Sequence, residues 1–245
     1  MRASRRGSSV ETRAIRLDAG ELAYLLKRSP RRRTLGLRID AKGLTVNAPS
    51  RAPQHWVESV LREKAGWVFT KLRELEQQQG PQMLWQDGEL LPFLGAHIRL
   101  DVAAGPVRAP AVLSGEWLQV RLADPLDAAA LQAKVTKWYR AQAQACFVER
   151  VEIYAARLGV PLPPLRLSNA RTCWGRCNAR GEISLNWRLV KAPLQTIDYV
   201  VAHELAHLKH LNHSPAFWQL VGHLFPAHFQ VRAALKTEGW RYHAF

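Results

Sequence analysis

The chain has 245 residues, 47% of them apolar and nine of them Trp, enough for one large or two small hydrophobic cores, which excludes a chain disordered throughout. No apolar run approaches the ~20 residues that cross a bilayer, and the basic stretch MRASRRGSSVETRAIRL is not followed by an apolar segment. No membrane span and no secretory signal are therefore expected, and a cytoplasmic protein is. The net charge of +15, with eleven Lys or Arg against four acids in residues 1–40, predicts attraction to polyanions, including weak nucleic-acid contact through the basic N-terminal region.

Residues 1–12 read as a basic tail, and residues 13–123 as a strand-rich subdomain with one helix. In Leu35-Gly-Leu-Arg-Ile39 the apolar residues alternate; Lys42-Gly43 marks a turn, Leu44-Thr-Val46 resumes the alternation and Pro49 ends the hairpin. Over 53–78, Trp56, Val57, Val60, Leu61, Trp67, Val68, Leu72 and Leu75 recur at three and four, which predicts a single helix stopped by Gln77-Gln-Gln-Gly-Pro81. Residues 83–122 return to short strands, with turns at Asp87-Gly88, Gly95 and Ser114-Gly115.

A division near 124 separates this region from a second domain, 124–245. Asp124-Pro125 opens a long helix over 127–158, striped by Leu131, Val135, Trp138, Tyr139, Cys146, Phe147, Val151, Tyr154 and Leu158 and ended by Gly159. Short strands come next at 165–168 and 182–187, then helices at 194–211, from Ser214-Pro215 and after Pro226. No internal repeat is visible. Cys146, Cys173 and Cys177 are an odd set, too few for a disulfide framework; Cys173 and Cys177 lack the second pair a zinc ribbon needs and are expected to pack as small apolar residues beneath the loop carrying Trp174.

The stretch His203-Glu-Leu-Ala-His-Leu-Lys-His-Leu-Asn-His213 holds four of the nine histidines. Residues four apart share a helix face, so His203 and His207 can reach one ion, while Glu204 points beside them toward a water on that ion. A catalytic zinc needs a third protein ligand. His210 lies two turns along the axis from His203, about 10 Å at 1.5 Å per residue. His213 fits better if the helix ends first. Asn212 is suited to a left-handed terminating conformation, and Ser214-Pro215 opens the next helix. A metzincin has Gly where His210 stands and a downstream Met turn, and here both methionines lie upstream. Tyr199 reads as a core residue more than as an oxyanion donor, and His223 and His228 as solvated.

Taken together, Ser29-Pro-Arg-Arg-Arg-Thr-Leu-Gly-Leu-Arg-Ile39, Val46-Asn-Ala-Pro49, the block Asn169-Ala-Arg-Thr-Cys-Trp-Gly-Arg-Cys177, Ile183-Ser-Leu-Asn-Trp-Arg-Leu189 and Ile197 through His207 to Trp218 resemble the YgjP-like metallopeptidases, relatives of the SprT-like zinc proteases. The resemblance implies an α+β fold with a zincin-like core, Zn2+ held by His203, His207 and His213, and Glu204 as base. It departs at Arg176, where the family usually has Ser. The expected function is zinc-dependent hydrolysis of a peptide or protein substrate, with an extended peptide pairing along an edge strand near 182–187. Two other classes remain open: a metal-dependent nucleotide or phosphoanhydride hydrolase, since arginine forks grip phosphate, and a nucleic-acid-associated protease of SprT-like type.

Overall fold

The computed structural model describes residues 8–17, 20–40, 43–77, 83–243 and 245. The first seven residues of the expected tail, Lys42 of the expected turn, the side chain of Leu75 and the stop signal after Gln77 lie outside them. The fold is α+β, with three small sheets and six α-helices among the described residues. The chain forms two compact units, Met1–Pro81 and Gln82–Phe245.

In the first unit β1 (Ser9–Leu17), β2 (Gly20–Ser29), β3 (Gly36–Asp40) and β4 (Gly43–Pro49) form a sheet of order β1-β2-β4-β3. Strand β1 therefore begins inside the stretch expected to be tail. The parallel β2–β4 register sets Tyr24 opposite Leu44 and Leu26 opposite Val46. The alternation thus places Leu22, Tyr24, Leu26, Leu44, Val46 and Ala48 in one buried row. The helix expected over 53–78 is two: α1 (Gln54–Glu63) and α2 (Ala65–Gln77), divided at Lys64, whose φ of −97° and ψ of 8° leave helical geometry. Val57, Leu61 and Val68 take the buried stripe, while Trp56 and Trp67, one position off it, are 37% and 45% exposed. The expected tryptophan stripe is thus corrected: the large rings flank the core.

The second unit opens with β5 (Leu90–Phe93), β6 (Ala96–Ala104), β7 (Val112–Ser114) and β8 (Trp117–Leu122), in the order β5-β6-β8-β7. Its central pair β6–β8 is parallel and its outer pairs antiparallel, as in the first sheet. The sequence carries no visible repeat, yet the strand order repeats. The expected boundary near 124 does not part this sheet from the helices after it. Leu91, Leu100, Leu118 and Val120 share one core with Leu131, Tyr139, Phe147 and Val201, so the observed division falls between Pro81 and Gln82.

Helix α3 (Ala128–Leu158) is capped by the Asp127 carboxylate, which accepts the Ala130 N–H at 2.9 Å, and ended by Gly159 at φ 67°. After it come β9 (Leu165–Ser168), β10 (Gly175–Cys177) and β11 (Ile183–Asn186), a 3-10 turn at Trp187–Lys191, then α4 (Leu194–Ala206), α5 (Pro215–Leu224) and α6 (His228–Glu238). Strand β11 lies between β10 and β9, so 183–186 is the middle of its sheet and has no free edge for a peptide. Among the described residues no helix is long and apolar enough to cross a membrane.

Helix α4 is buried along most of its length and sits on α3. Arg150 on α3 donates two hydrogen bonds to Asp198 on α4, at 2.5 and 2.9 Å, with both side chains mostly out of water. Removing one partner strands the other charge, so Asp198→Ala should cost about 3 kcal/mol. Urea denaturation of the metal-free variant against the parent chain measures this.

Candidate metal centre

Ten residues of α4 are buried, and the helix delivers His203 and Glu204 from its last turn. It ends at Ala206, five residues before the expected end. Leu208 N–H bonds back to Leu205, and Lys209 and His210 both bond to Ala206, which tightens the chain out of the helix. Asn212 is not in the left-handed conformation expected from its residue type, because these tight turns have already ended the helix. The Ser214 hydroxyl then accepts the Phe217 N–H at 3.4 Å and Pro215 occupies the first turn of α5.

The early stop brings His213 back over the helix. One ring nitrogen from each of His203, His207 and His213 lies within 4.8 Å of the others. His203 Nε2 and His213 Nε2 face each other at 3.2 Å. His207 Nδ1 meets the main-chain carbonyl of His210 at 3.0 Å. A carbonyl only accepts, so that bond puts the proton on Nδ1 and leaves Nε2 as a lone pair. His210 thus contributes through its backbone and is not gathered with the other three. Phe217, fully buried, floors the group, with its ring centre 5.0, 4.6 and 4.8 Å from those of His203, His207 and His213.

These residues fit a divalent metal ion. Burial, followed by the neighbouring histidines, pushes His203 down to about 3; burial and His207 lower His213. His203 and His213 are therefore neutral and present lone pairs near pH 7. Two nitrogens bound to one tetrahedral zinc at ~2.0 Å stand about 3.3 Å apart, close to the separation of the facing pair. Facing imidazole lone pairs repel unless a proton or cation lies between them.

Glu204 is 5% exposed. Burial pushes its carboxyl up to about 7, and a backbone hydrogen bond from Cys177 pulls the other way. It reaches that bond because β10 runs directly against it. A Cβ placed on Gly175 would lie 2.6 Å from Glu204 Cγ and 2.7 Å from Cδ, with Oε1 closer still. Only glycine leaves the space that the carboxylate occupies. The loop before β10 is pinned in turn. Asn186 N–H bonds to Trp174 O at 2.8 Å, and its side-chain amide donates to Ala170 O at 2.6 Å. Asn169 Oδ1 accepts from Trp187 Nε1 at 3.0 Å and Arg188 Nη1 at 2.7 Å.

Tyr199 is buried, edge-on to His203 at 6.0 Å, as a core residue. His223 is exposed, but His228 is buried, with neither ring nitrogen hydrogen-bonded, and lies parallel to Trp218 at 6.2 Å. Its burial corrects the solvated reading. Cys177 packs partly against the core, whereas Cys173 is exposed on the loop and not beneath it. Strand β10, the role of Gly175 and the Arg150–Asp198 pair are not visible in the sequence. Three residues give too short an alternation to recognise, and the glycine's partner is a carboxylate 29 positions away. With Gly175→Ala the metal should stay bound while turnover falls roughly 10²-fold through misplacement of Glu204. Metal content and steady-state rates on one preparation test this.

A model of the YgjP-like family, metallopeptidase domain, matches residues 33–238. The chain is also similar to the UTP pyrophosphatase of Escherichia coli (strain K12), 36% identical over 67 residues, a match that takes in 27% of this chain and 40% of that protein. No solved structure matches. With three imidazoles gathered beside a buried glutamate and a family match across most of its length, the chain belongs to the YgjP-like family, metallopeptidase domain.

Proposed function

We propose that the protein is a zinc-dependent hydrolase with a zincin-like core, in which His203, His207 and His213 hold the ion, Glu204 is the general base, and the substrate is a peptide bond. The observation that carries this reading is the placement of Glu204: next to a metal-ligating face, out of water, with one carboxylate contact taken by the Cys177 N–H. Three imidazoles without a carboxylate suit zinc among the divalent metals, though copper and nickel share that taste. When bound, zinc would supply the Lewis acidity that brings a water toward ionisation near neutral pH.

Glu204 then takes the proton of the attacking water and hands it to the departing amine. A base whose pKa lies near 7 can both accept and return a proton at that pH. The Cys177 N–H and the absent Cβ of Gly175 hold the carboxylate in one orientation through both transfers. The outer side of β10, the edge of its sheet next to Glu204, offers main-chain pairing to an extended peptide.

A second reading keeps the metal and the base but exchanges the amide for a phosphoanhydride. It is favoured by the similarity to the Escherichia coli UTP pyrophosphatase and by the exposed Arg232, whose charge is felt at the triad. The zinc-loaded protein, offered unfolded protein and nucleoside triphosphates side by side, separates the two. On whichever is hydrolysed, Glu204→Gln should keep the zinc and lose about 10²- to 10⁴-fold in kcat. His213→Ala should instead lose the zinc, read by metal analysis after dialysis. Wild-type turnover by Glu204→Gln would sink the assignment of the base.

A further inference from the structure

We propose that Arg232 is a catalytic residue of this site, its guanidinium receiving the negative charge that develops on the substrate oxygen during hydrolysis. The inference rests on the hydrolase reading above and supplies what that reading lacks. Glu204 carries the wrong charge for the task, the triad nitrogens are committed to the metal, and Tyr199 is buried edge-on to His203.

Helix α6 passes the site with His228 and Arg232 one turn apart, hence on one face. Both meet the same indole. His228 lies parallel to Trp218, and Arg232 Cζ stands 4.3 Å from the Trp218 ring centre. The indole in turn lies nearly parallel to His213, 5.6 Å away at 21°. Arg232 is thus joined to the third metal-ligand candidate through one aromatic ring. Among the described residues Arg232 forms no ion pair or hydrogen bond, and it is exposed. Stacking on an aromatic face positions a guanidinium without neutralising it, so its donors stay available.

In peptide hydrolysis the water oxygen bonds to the carbonyl carbon while Glu204 takes the water proton. The C=O π pair moves to oxygen, where Arg232 N–H groups donate to it. The C–N bond then breaks, the pair returns to the carbonyl, and the amine leaves with the proton from Glu204. The balance is water plus amide to acid plus amine. With a phosphoanhydride the same donors meet a non-bridging phosphoryl oxygen.

The test uses the zinc-loaded full chain, Arg232→Gln and Arg232→Lys, with zinc content and thermal midpoint measured on each. On the substrate that the wild type hydrolyses, Arg232→Gln should lower kcat/KM about 10²-fold with zinc and midpoint unchanged, and Arg232→Lys should recover part of the loss. For a peptide the loss should fall on kcat; for a nucleoside triphosphate it should fall on KM as well. Unchanged kcat/KM in Arg232→Gln overturns the proposal and makes Arg232 a cover for Trp218. If the wild type hydrolyses neither substrate, the hydrolase reading fails, and Arg232 is judged by titrating inorganic phosphate into the zinc-loaded proteins. Binding weakened at least about tenfold in Arg232→Gln supports it. Equal affinity, or no binding to the wild type, overturns it.

Discussion

A carboxylate removed from water beside three imidazoles is the constraint on which the second unit depends. An isolated buried carboxylate would protonate or drag water in with it. Glu204 instead projects from α4 against β10, where the Cys177 main chain offsets part of the burial, in a space that exists because residue 175 has no side chain. Its raised pKa is the residue of that compromise: burial dominates, and the single hydrogen bond recovers part of the loss. The surroundings of Glu204 serve to hold these two elements still. The Arg150–Asp198 pair ties α4 to α3, and the Asn186 and Asn169 hydrogen bonds tie the loop before β10 to β11 and the turn after it.

The same physics explains how much of the site is legible in the sequence. The spacing of His203 and His207 is local, set by 3.6 residues per turn, and so is the cap at Ser214-Pro215; both need only the helix. His213 is legible by elimination, because His210 lies too far along the axis. The physical cause of its return differs from the expected one. The chain leaves α4 through tight turns after Ala206 with no left-handed Asn212, and the His210 carbonyl, invisible in a side-chain pattern, holds His207. The helix over 127–158 is legible from stripe and cap, and the one after Pro226 from the proline that precedes it.

The hidden features depend on partners distant in the chain. The break at Lys64 leaves the apolar period intact, so the period cannot reveal it. The strands at 90–122 look like company for the first sheet because their alternation is the same; only the core they share with α3 assigns them to the second unit. Strand β11 passes for an edge because a four-residue strand carries no record of its neighbours. The blocks around Trp174 and Trp187 stand out as motifs without a visible reason. The reason is that they hydrogen-bond to each other and together back the glutamate.

The charge balance of the site bears on which bond is broken. Three imidazoles lie beside a single carboxylate, and on the proposed reading a divalent ion and Arg232 add positive charge, so the loaded site would be cationic overall. An amide is neutral when it binds and acquires negative charge only as it reacts, so an exposed guanidinium acts on it differentially and lowers the barrier. A phosphoanhydride is charged from the start, so the same guanidinium strengthens binding before it accelerates anything, and part of its contribution is spent uniformly on substrate and transition state. One cation therefore has two different kinetic consequences, and the substrate decides between them. The metal and base chemistry are common to both reactions. Discrimination must come from the walls: a strand edge that pairs with peptide backbone, or cations that grip phosphate in the ground state. Here the edge of β10 adjoins Glu204 directly.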